Sequence, residues 1–387
     1  MADKFLKYLA EKGNLRKAMP SWTRKVARKF VPINRYNQLL WKSENPYVGS
    51  DKEWEYKGKS RNTIGIIYDP AHYHKFYMAA CLDMDISYKV LDIRVTNWID
   101  LIKKSECDAI VCWASVSTMT LKEMTDERLK FIDEDMNMKI YPTAFEVWLY
   151  ENKRRVRDWL MINNFDIPET WCFYTEDEAY DFLDKAPFPV VFKTALGSAS
   201  HGVEICRKKH EAIKLVKKCF GEGVTAERTD PRNKQLDFIM FQEYLSKVEE
   251  KRMIRIGDTY ACIDKIQKGD FHSGSGIQRW GKPTNDLLEL TKAITDKGKF
   301  KCMDVDFFVT PDGRSMVNEL QTFFYGNYPV IPDSDLRGAY KFEVSEWKFM
   351  PGNFNRNSYC NLRLEKLLSE LNEDKVELSK WYDLPGY

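Results

Sequence analysis

Between residues 61 and 142, short apolar runs alternate with stretches of helical length. The runs Thr63–Tyr68, Tyr88–Ile93, Asp108–Trp113 and Lys139–Tyr141 predict strands, and the stretches around 72–84, 96–104 and 120–134 predict the helices between them. That order gives a small, mostly parallel sheet in a layered α/β unit. A helix is predicted from Ala144 through Asn163, stopped by Asn163-Asn164 and by Pro168 beyond it. Hairpins dominate after that. Residues 187–193 pair with 203–206, a helix covers 209–219, and strands follow over 237–245, 252–256 and 260–266. A helix over 284–298 leads to a last hairpin, 302–309 with 315–321, and a further helix is predicted over 361–371.

The last hairpin carries explicit chemistry. Pro311-Asp312-Gly313-Arg314 is a turn, and closing the strands on it sets Asp306 opposite Glu319 and Asp304 opposite Gln321. Period-2 alternation puts all four on one face and Met303, Val305, Phe307, Met316 and Leu320 on the other. Facing carboxylates repel, and burying them without a counter-charge costs on the order of several kcal/mol. A hard cation that also takes phosphate oxygens is the simplest remedy, so the hairpin reads as a floor for magnesium and a nucleotide. A solvated polar face on an edge hairpin is the plain alternative.

Upstream, Lys193 ends an apolar strand and is followed by Thr194-Ala195-Leu196-Gly197-Ser198-Ala199-Ser200-His201-Gly202. Such a Gly/Ser loop leaves backbone N–H groups and hydroxyls open to phosphate oxygens. It is not a Walker A loop, because no Lys-Ser/Thr follows Gly202 and Val203–Cys206 reads as a return strand; Lys193 supplies the positive charge instead. Lys153, Arg154, Arg155 and Arg157 stud the 144–163 helix, mostly as a solvated face. Asp264 and Lys265 project to opposite faces of their strand, one inward and the other solvated. His272-Ser273-Gly274-Ser275-Gly276, with Arg279, forms a second flexible, basic loop. Tyr68-Asp69-Pro70 stands where G-x-G-x-x-G would follow the first strand, so no dinucleotide fingerprint supports a dehydrogenase. His72 and His74, just after that strand, read as surface histidines, with substrate contact as the alternative.

Composition narrows the class. A net charge of +2 argues against nucleic acid as a partner of the chain as a whole. Nine scattered cysteines without C-x-x-C or Cys/His spacing suit a reducing cytosol. Neither a signal peptide nor an apolar stretch near spanning length is present, so a soluble, cytoplasmic protein is expected. Residues 1–42 hold eleven Lys and Arg against Asp3 and Glu11, interleaved with Trp22, Phe30 and Trp41. That arm reads either as packed on the body with a solvated basic face, or as a peripheral contact for a membrane or anionic polymer.

Taken in order, a lysine on a helix, a lysine before a Gly/Ser flap, Gln242-Glu243-Tyr244-Leu245 at a strand end, a basic residue on a later strand, Asp304-Val305-Asp306-Phe307-Phe308 and Asn318-Glu319-Leu320-Gln321 resemble the ATP-grasp superfamily. The likeness spans residues 60–330 and is nearest to the carboxylate-amine ligases, such as the d-alanine ligases, glutathione synthetases and glutamate ligases. It implies an α/β ATP-grasp fold behind an N-terminal Rossmann-like preATP-grasp domain. The implied boundaries are a basic arm over 1–60, that domain over 61–142, a flap-bearing subdomain over 143–235, a metal-bearing subdomain over 236–335 and an extension over 336–387.

By this resemblance Lys153 and Lys193 hold nucleotide phosphates beneath a flap of Gly197, Ser198, Ser200, His201 and Gly202. Gln242, Glu243, Tyr244 and Leu245 form the adenine hinge, and Glu250 is the ribose carboxylate. Lys265 stands where the family usually has an arginine near the transferred phosphate, while Arg279, His272 and His201 are candidates for gripping the substrate. Asp306, Glu319 and Gln321 match the magnesium ligands, with Gln where Asn is usual, and Asp304 matches none. The implied cofactors are ATP and Mg2+, as two ions for which Mn2+ can substitute. The implied reaction activates a carboxylate as an acylphosphate for attack by an amine, both small molecules, in a chain compatible with a homo-oligomer. A kinase releasing its phosphorylated product, or an inactive nucleotide-binding scaffold, stand as alternatives.

Overall fold

The computed structural model describes residues 54–114, 116, 118–197, 201–226, 230, 232–267, 269, 277–324, 334–371 and 381. Residues 1–53, which hold most of the basic arm, and Ser198, Ser200 and His272 therefore lie outside the described residues. Two units emerge: the described residues through Ala144 together with those from Asn355 onward, and Phe145–Phe354.

In the first unit the apolar runs become β1 (Glu55–Tyr56), β2 (Thr63–Ile67), β3 (Ser87–Leu91), β4 (Ala109–Val111) and β5 (Ile140–Tyr141), in the order β1-β3-β2-β4-β5. β2 to β5 run parallel and β1 joins β3 antiparallel. The crossovers are α1 (His74–Asp83), α2 (Trp98–Ser105) and α3 (Met119–Glu134). β2 reads TIGII and is buried after its first residue, as a strand inside a parallel sheet requires. Thr118 starts α3 by accepting the Leu121 N–H at 3.1 Å. The expectation of a surface histidine fails at His74, which is buried with its ring 4.8 Å from that of Tyr68. It opens α1 against the sheet, and its Nδ1 lies 3.2 Å from the Asp69 carbonyl oxygen.

The second unit opens within α4 (Ala144–Leu149), which with α5 (Lys153–Ile162) replaces the single helix expected over 144–163. The break has local causes. Glu151 takes φ 53°, and Asn152 turns its side chain back to accept the Arg155 N–H at 3.3 Å, so a new helix starts there. Glu146, wholly buried on α4, accepts the Cys302 N–H at 2.6 Å. Lys153 is thereby the first residue of a helix rather than a mid-helix side chain.

A four-stranded antiparallel sheet follows, ordered β6 (Thr170–Phe173), β9 (Ile239–Glu243), β7 (Val190–Lys193) and β8 (Val203–Cys206). Helices α6 (Glu176–Leu183) and α7 (Lys209–Cys219) share its core through Leu183 and Val216, packed with Phe173, Phe192 and Phe241. The larger sheet runs β14 (Ser315–Gln321), β13 (Cys302–Val309), β10 (Glu249–Ile256), β11 (Thr259–Lys265), β15 (Gly338–Glu343), β16 (Glu346–Pro351), with β12 (Gln278–Trp280) also on β11. Leu160 of α5 and Leu288 and Ile294 of α8 (Asn285–Lys297) pack with Met253, Met303, Val305, Phe307, Val317 and Leu320. Each such side chain contributes roughly 1.5–3 kcal/mol of burial, which fixes one face of the sheet and leaves the other for polar groups.

The last hairpin has the expected strand limits but not a uniform register. Asp304 faces Gln321 and Asp306 faces Glu319, whereas nearer the turn Phe307 faces Val317. Asn318 is the extra residue, a β-bulge. Its insertion flips the alternation, so Val317 joins Leu320 in the core cluster where Met316 was expected.

Residues beyond Asn355 return to the first unit. Arg356 forks the Asp83 carboxylate through Nε and Nη2 at 2.6 and 2.8 Å, and α9 (Cys360–Glu370) packs on α1. No helix among the described residues is long and apolar enough to cross a membrane.

Candidate active site

One face of the larger sheet is a field of charges. Register places Arg252 opposite Asp306, Asp306 opposite Glu319, and Glu250 opposite Lys265, so β10, β11, β13 and β14 present them side by side. Asp304 and Asp306 are both fully buried. The Arg252 guanidinium donates from Nε and Nη2 to the two Asp306 oxygens at 3.0 Å each, and its Nε lies 2.6 Å from Asp304 Oδ2. Lys265 donates to Glu250 Oε1 at 2.7 Å and also to Asp306 Oδ2. Burial alone would raise the Asp306 carboxyl; Arg252 and Lys265 outweigh it and hold Asp306 well below the usual carboxylate range. Asp304 goes the other way. Burial, with the Asp306 charge added, pushes it well above that range against the pull of Arg252, and neither of its oxygens accepts a hydrogen bond among the described residues.

The carboxylates that called for a hard cation are thus neutralised by the protein's own arginine and lysine. Both Asp306 oxygens are occupied, and no group of three or more His, Cys, Asp and Glu among the described residues is arranged to hold a metal. Asp306 is held by Arg252 and Lys265, Glu319 faces it across the hairpin, and Gln321 stands opposite Asp304.

Beside this field two further lysines converge from different elements. Lys153, at the start of α5, places Nζ 3.2 Å from Glu319 Oε1 and donates to the Gly197 carbonyl at 2.5 Å. Lys193, at the end of β7, donates to Asn318 Oδ1 at 2.9 Å. Burial, then the charge of Lys153, pushes the Lys193 amine down to about 8. Lys153 is opposed by burial but raised overall by Glu319 and Glu151. The loop from β7 to β8 is gripped at its base. The Lys153 N–H donates to Ala195 O at 3.0 Å, the Gly197 N–H donates to buried Glu151 at 3.4 Å, and the Thr194 N–H donates to Gly202 O at 2.8 Å. Gly202 has φ 81°, and a Cβ there would come within 2.1 Å of Thr194 Oγ1, so only glycine closes the hairpin without displacement.

Residues 150–319 match the model of the RimK-like ATP-grasp domain. The chain carries an ATP-grasp domain. The matched interval opens next to Glu151 and Lys153 and closes on Glu319, so it holds both lysines, the flap, Arg252, Lys265 and Asp306. No curated protein sequence matches the chain. Among solved structures, N5-carboxyaminoimidazole ribonucleotide synthetase from Thermotoga maritima is similar at 15% identity and TM-score 0.50, covering 79% of this chain and 76% of that one. The biotin carboxylase domain of 2-oxoglutarate carboxylase from Hydrogenobacter thermophilus, solved with MgADP, ADP and bicarbonate, is similar at 13% identity and TM-score 0.51, covering 69% of this chain and 65% of that one. N5-carboxyaminoimidazole synthetase from Staphylococcus aureus, solved with ADP, gives 14% identity and TM-score 0.50, with coverage of 70% and 72%. At these identities the likeness speaks to the ATP-grasp fold.

Within this domain the structure gathers Lys153, Lys193, Gly197, Lys265, Asp306 and Glu319. Others are placed differently. Arg279 is the register partner of Asp264, to which its exposed Nε donates at 3.1 Å, so it stands on the sheet face opposite Lys265. Glu250 is buried and engaged by Lys265. Gln242 donates to Thr170 Oγ1 at 2.9 Å and Glu243 accepts the Glu169 N–H at 2.8 Å, so both side chains tie β9 to the start of β6; Tyr244 and Leu245 follow, half-buried. Gln321 is buried opposite Asp304, and His201 is half-buried at the end of the flap. Sequence reasoning missed Arg252, Glu151 and Asn318. The period-2 spacing of Arg252 from Glu250 was a sign for the first, though masked by its charged neighbours, and Asn152 as a helix start for the second; the bulge at Asn318 has no sign in the chain.

Proposed function

We propose that this protein is an ATP-dependent ligase that activates a carboxylate as an acylphosphate and joins it to an amine, releasing ADP and phosphate. The observation that carries this reading is the convergence of Lys153 and Lys193 on the Glu319–Asn318 corner, with Lys153 also on the Gly197 carbonyl at the base of the β7–β8 loop. Two ammonium groups suit a triphosphate, and fixed cations lower the barrier to phosphoryl transfer by stabilising the charge that develops on the transferred group. Magnesium enters here with ATP, as part of the substrate. The γ-phosphoryl group passes to a carboxylate oxygen, the amine attacks the carbonyl carbon, phosphate departs with the C–O bond electrons, and the amine proton goes to solvent. No side-chain nucleophile takes part.

The cytoplasm is the proposed compartment, because the reaction draws on ATP and all nine cysteines are free. The test is a screen of amino acids, sugar acids and amines for substrate-dependent ADP release, with product masses measured and hydroxylamine added to trap the acylphosphate as a hydroxamate. ADP release with a condensed product supports the ligase. A stable phosphoproduct without a second substrate overturns it in favour of a kinase.

A further inference from the structure

Three lysines stand at the site, and their partners differ in kind. Lys265 is paired with Glu250 and Asp306, and Lys153 with Glu319. Lys193 makes no ion pair with a carboxylate among the described residues; its ammonium is held by the neutral amide of Asn318, necessarily through Oδ1, because an ammonium only donates. That partner exists because of the bulge. In an unbroken ladder Asn318 would alternate with Glu319 and Gln321 and would share the core face with Leu320. The extra residue lets Val317 and Leu320 both bury while Asn318 turns out beside Glu319, within reach of β7.

We infer that Asn318 is a positioning residue: it holds the Lys193 ammonium in place without cancelling its charge, and so reserves that charge for a polyphosphate. The inference deepens the nucleotide reading above and rests on it for the identity of the anion, but not for the Asn318–Lys193 coupling. The chemistry at this point requires an uncharged acceptor. A carboxylate at 318, next to Glu319, would draw Lys193 into the same neutral pairs that already occupy Lys153 and Lys265, and an incoming phosphate chain would have to break that pair. An apolar side chain would leave the ammonium unanchored.

The test uses the full chain with Asn318→Asp, Asn318→Ala and, as the conservative variant, Asn318→Ser. Calorimetry measures affinity for MgATP and for AMP, and competitive labelling with acetic anhydride, read by peptide mass spectrometry, measures Lys193 reactivity without any ligand. Asn318→Asp is expected to weaken MgATP about tenfold or more while changing AMP several-fold less, and to lower Lys193 labelling at pH 8. Asn318→Ala should weaken MgATP without that drop in labelling, and Asn318→Ser should recover part of the loss. A purely structural role would move MgATP and AMP together, and that result overturns the inference, as does an Asn318→Asp protein with unchanged labelling and unchanged MgATP affinity. Lowered labelling in Asn318→Asp, with no nucleotide bound by it or by the parent, keeps the Asn318–Lys193 coupling and overturns the ATP reading. If Asn318→Asp fails to fold, the Asn318→Ser and Asn318→Ala pair decides: a MgATP-selective loss in Ala that Ser restores supports the inference, and equal binding by both overturns it.

Discussion

Arg252 is the side chain whose removal tests the electrostatic account most directly. Replacing it with Met keeps the length and much of the volume but withdraws the cation from between two fully buried carboxylates, which it meets at 3.0, 3.0 and 2.6 Å. Breaking a buried pair by deleting one partner costs about 3–5 kcal/mol, because the other charge is stranded. Lys265 still engages Asp306 and Asp304 can take up a proton, so the low end, about 3 kcal/mol, is expected. For a unit of this size each kcal/mol shifts the melting temperature by about 2–4 °C, so the variant should melt about 6–12 °C lower at pH 7. The pH dependence has a definite sign. Asp304 has a folded pKa raised above its unfolded value, so the cost of its burial is present at neutral pH and is relieved as pH falls through that folded value. Asp306 is depressed, so its contribution stays intact until pH falls below the ordinary carboxylate range. The gap between variant and parent should therefore narrow on acidification in melts followed by circular dichroism. A variant within about 2 °C of the parent at pH 7, or a gap that widens in acid, refutes the reasoning.

Other outcomes follow from single residues. Because Lys193 titrates near 8, MgATP affinity measured by calorimetry should fall by up to about tenfold per pH unit above that value, with a one-proton slope absent from Lys193→Met; a flat profile in the parent would contradict it. Val344 and Ser345 form the two-residue turn between β15 and β16 with φ 50° and 66°, so the double change Val344→Asn, Ser345→Gly should raise stability by about 1 kcal/mol in a thermal melt, and a lower melting temperature would count against the turn geometry. Gly202→Ala places a methyl against Thr194 and should weaken MgATP binding more than it lowers the melting temperature; an unchanged Kd would show that the flap base tolerates the shift.

Many of the elements were legible in the chain because they follow from patterns that survive folding unchanged, and the ATP-grasp domain was legible from the resemblance of its ordered motifs; β6, α6, β15 and β16 were not foreseen. Apolar runs of strand length flanked by turn residues mark β2, β7 and β13, and an Asp-Gly turn marks the last hairpin, whose Asp306–Glu319 and Asp304–Gln321 pairs fall where alternation puts them. What stayed hidden depends on events that leave no periodic trace. One left-handed residue, Glu151, divides the stretch read as a single helix, and one inserted residue, Asn318, changes which side chains meet across the ladder. Burial of His74 is likewise decided by where α1 packs, not by its own neighbours in sequence. Arg252 was overlooked for a different reason. A basic side chain among Glu249, Glu250 and Lys251 looks like part of a solvated run, and only the pairing of β10 with β13 shows that it lies against Asp306.

The same pairing determines how a phosphate chain can be held. An anion entering the site meets Lys153 already shared with Glu319 and the Gly197 carbonyl, and Lys265 already shared between two carboxylates. Taking either ammonium means uncovering an acid in a place with little water to solvate it, so the gain from the new contact is partly cancelled. Lys193 carries no such debt to a carboxylate among the described residues. Affinity for the phosphates should then rest on Lys193, while Arg252, Lys265, Asp304 and Asp306 act as a fixed, internally balanced platform that keeps the neighbouring strands and charges in register. A platform that is electrically complete before the substrate arrives need not rearrange when charge develops on the transferred phosphoryl group, and that is the condition under which fixed charges lower a barrier.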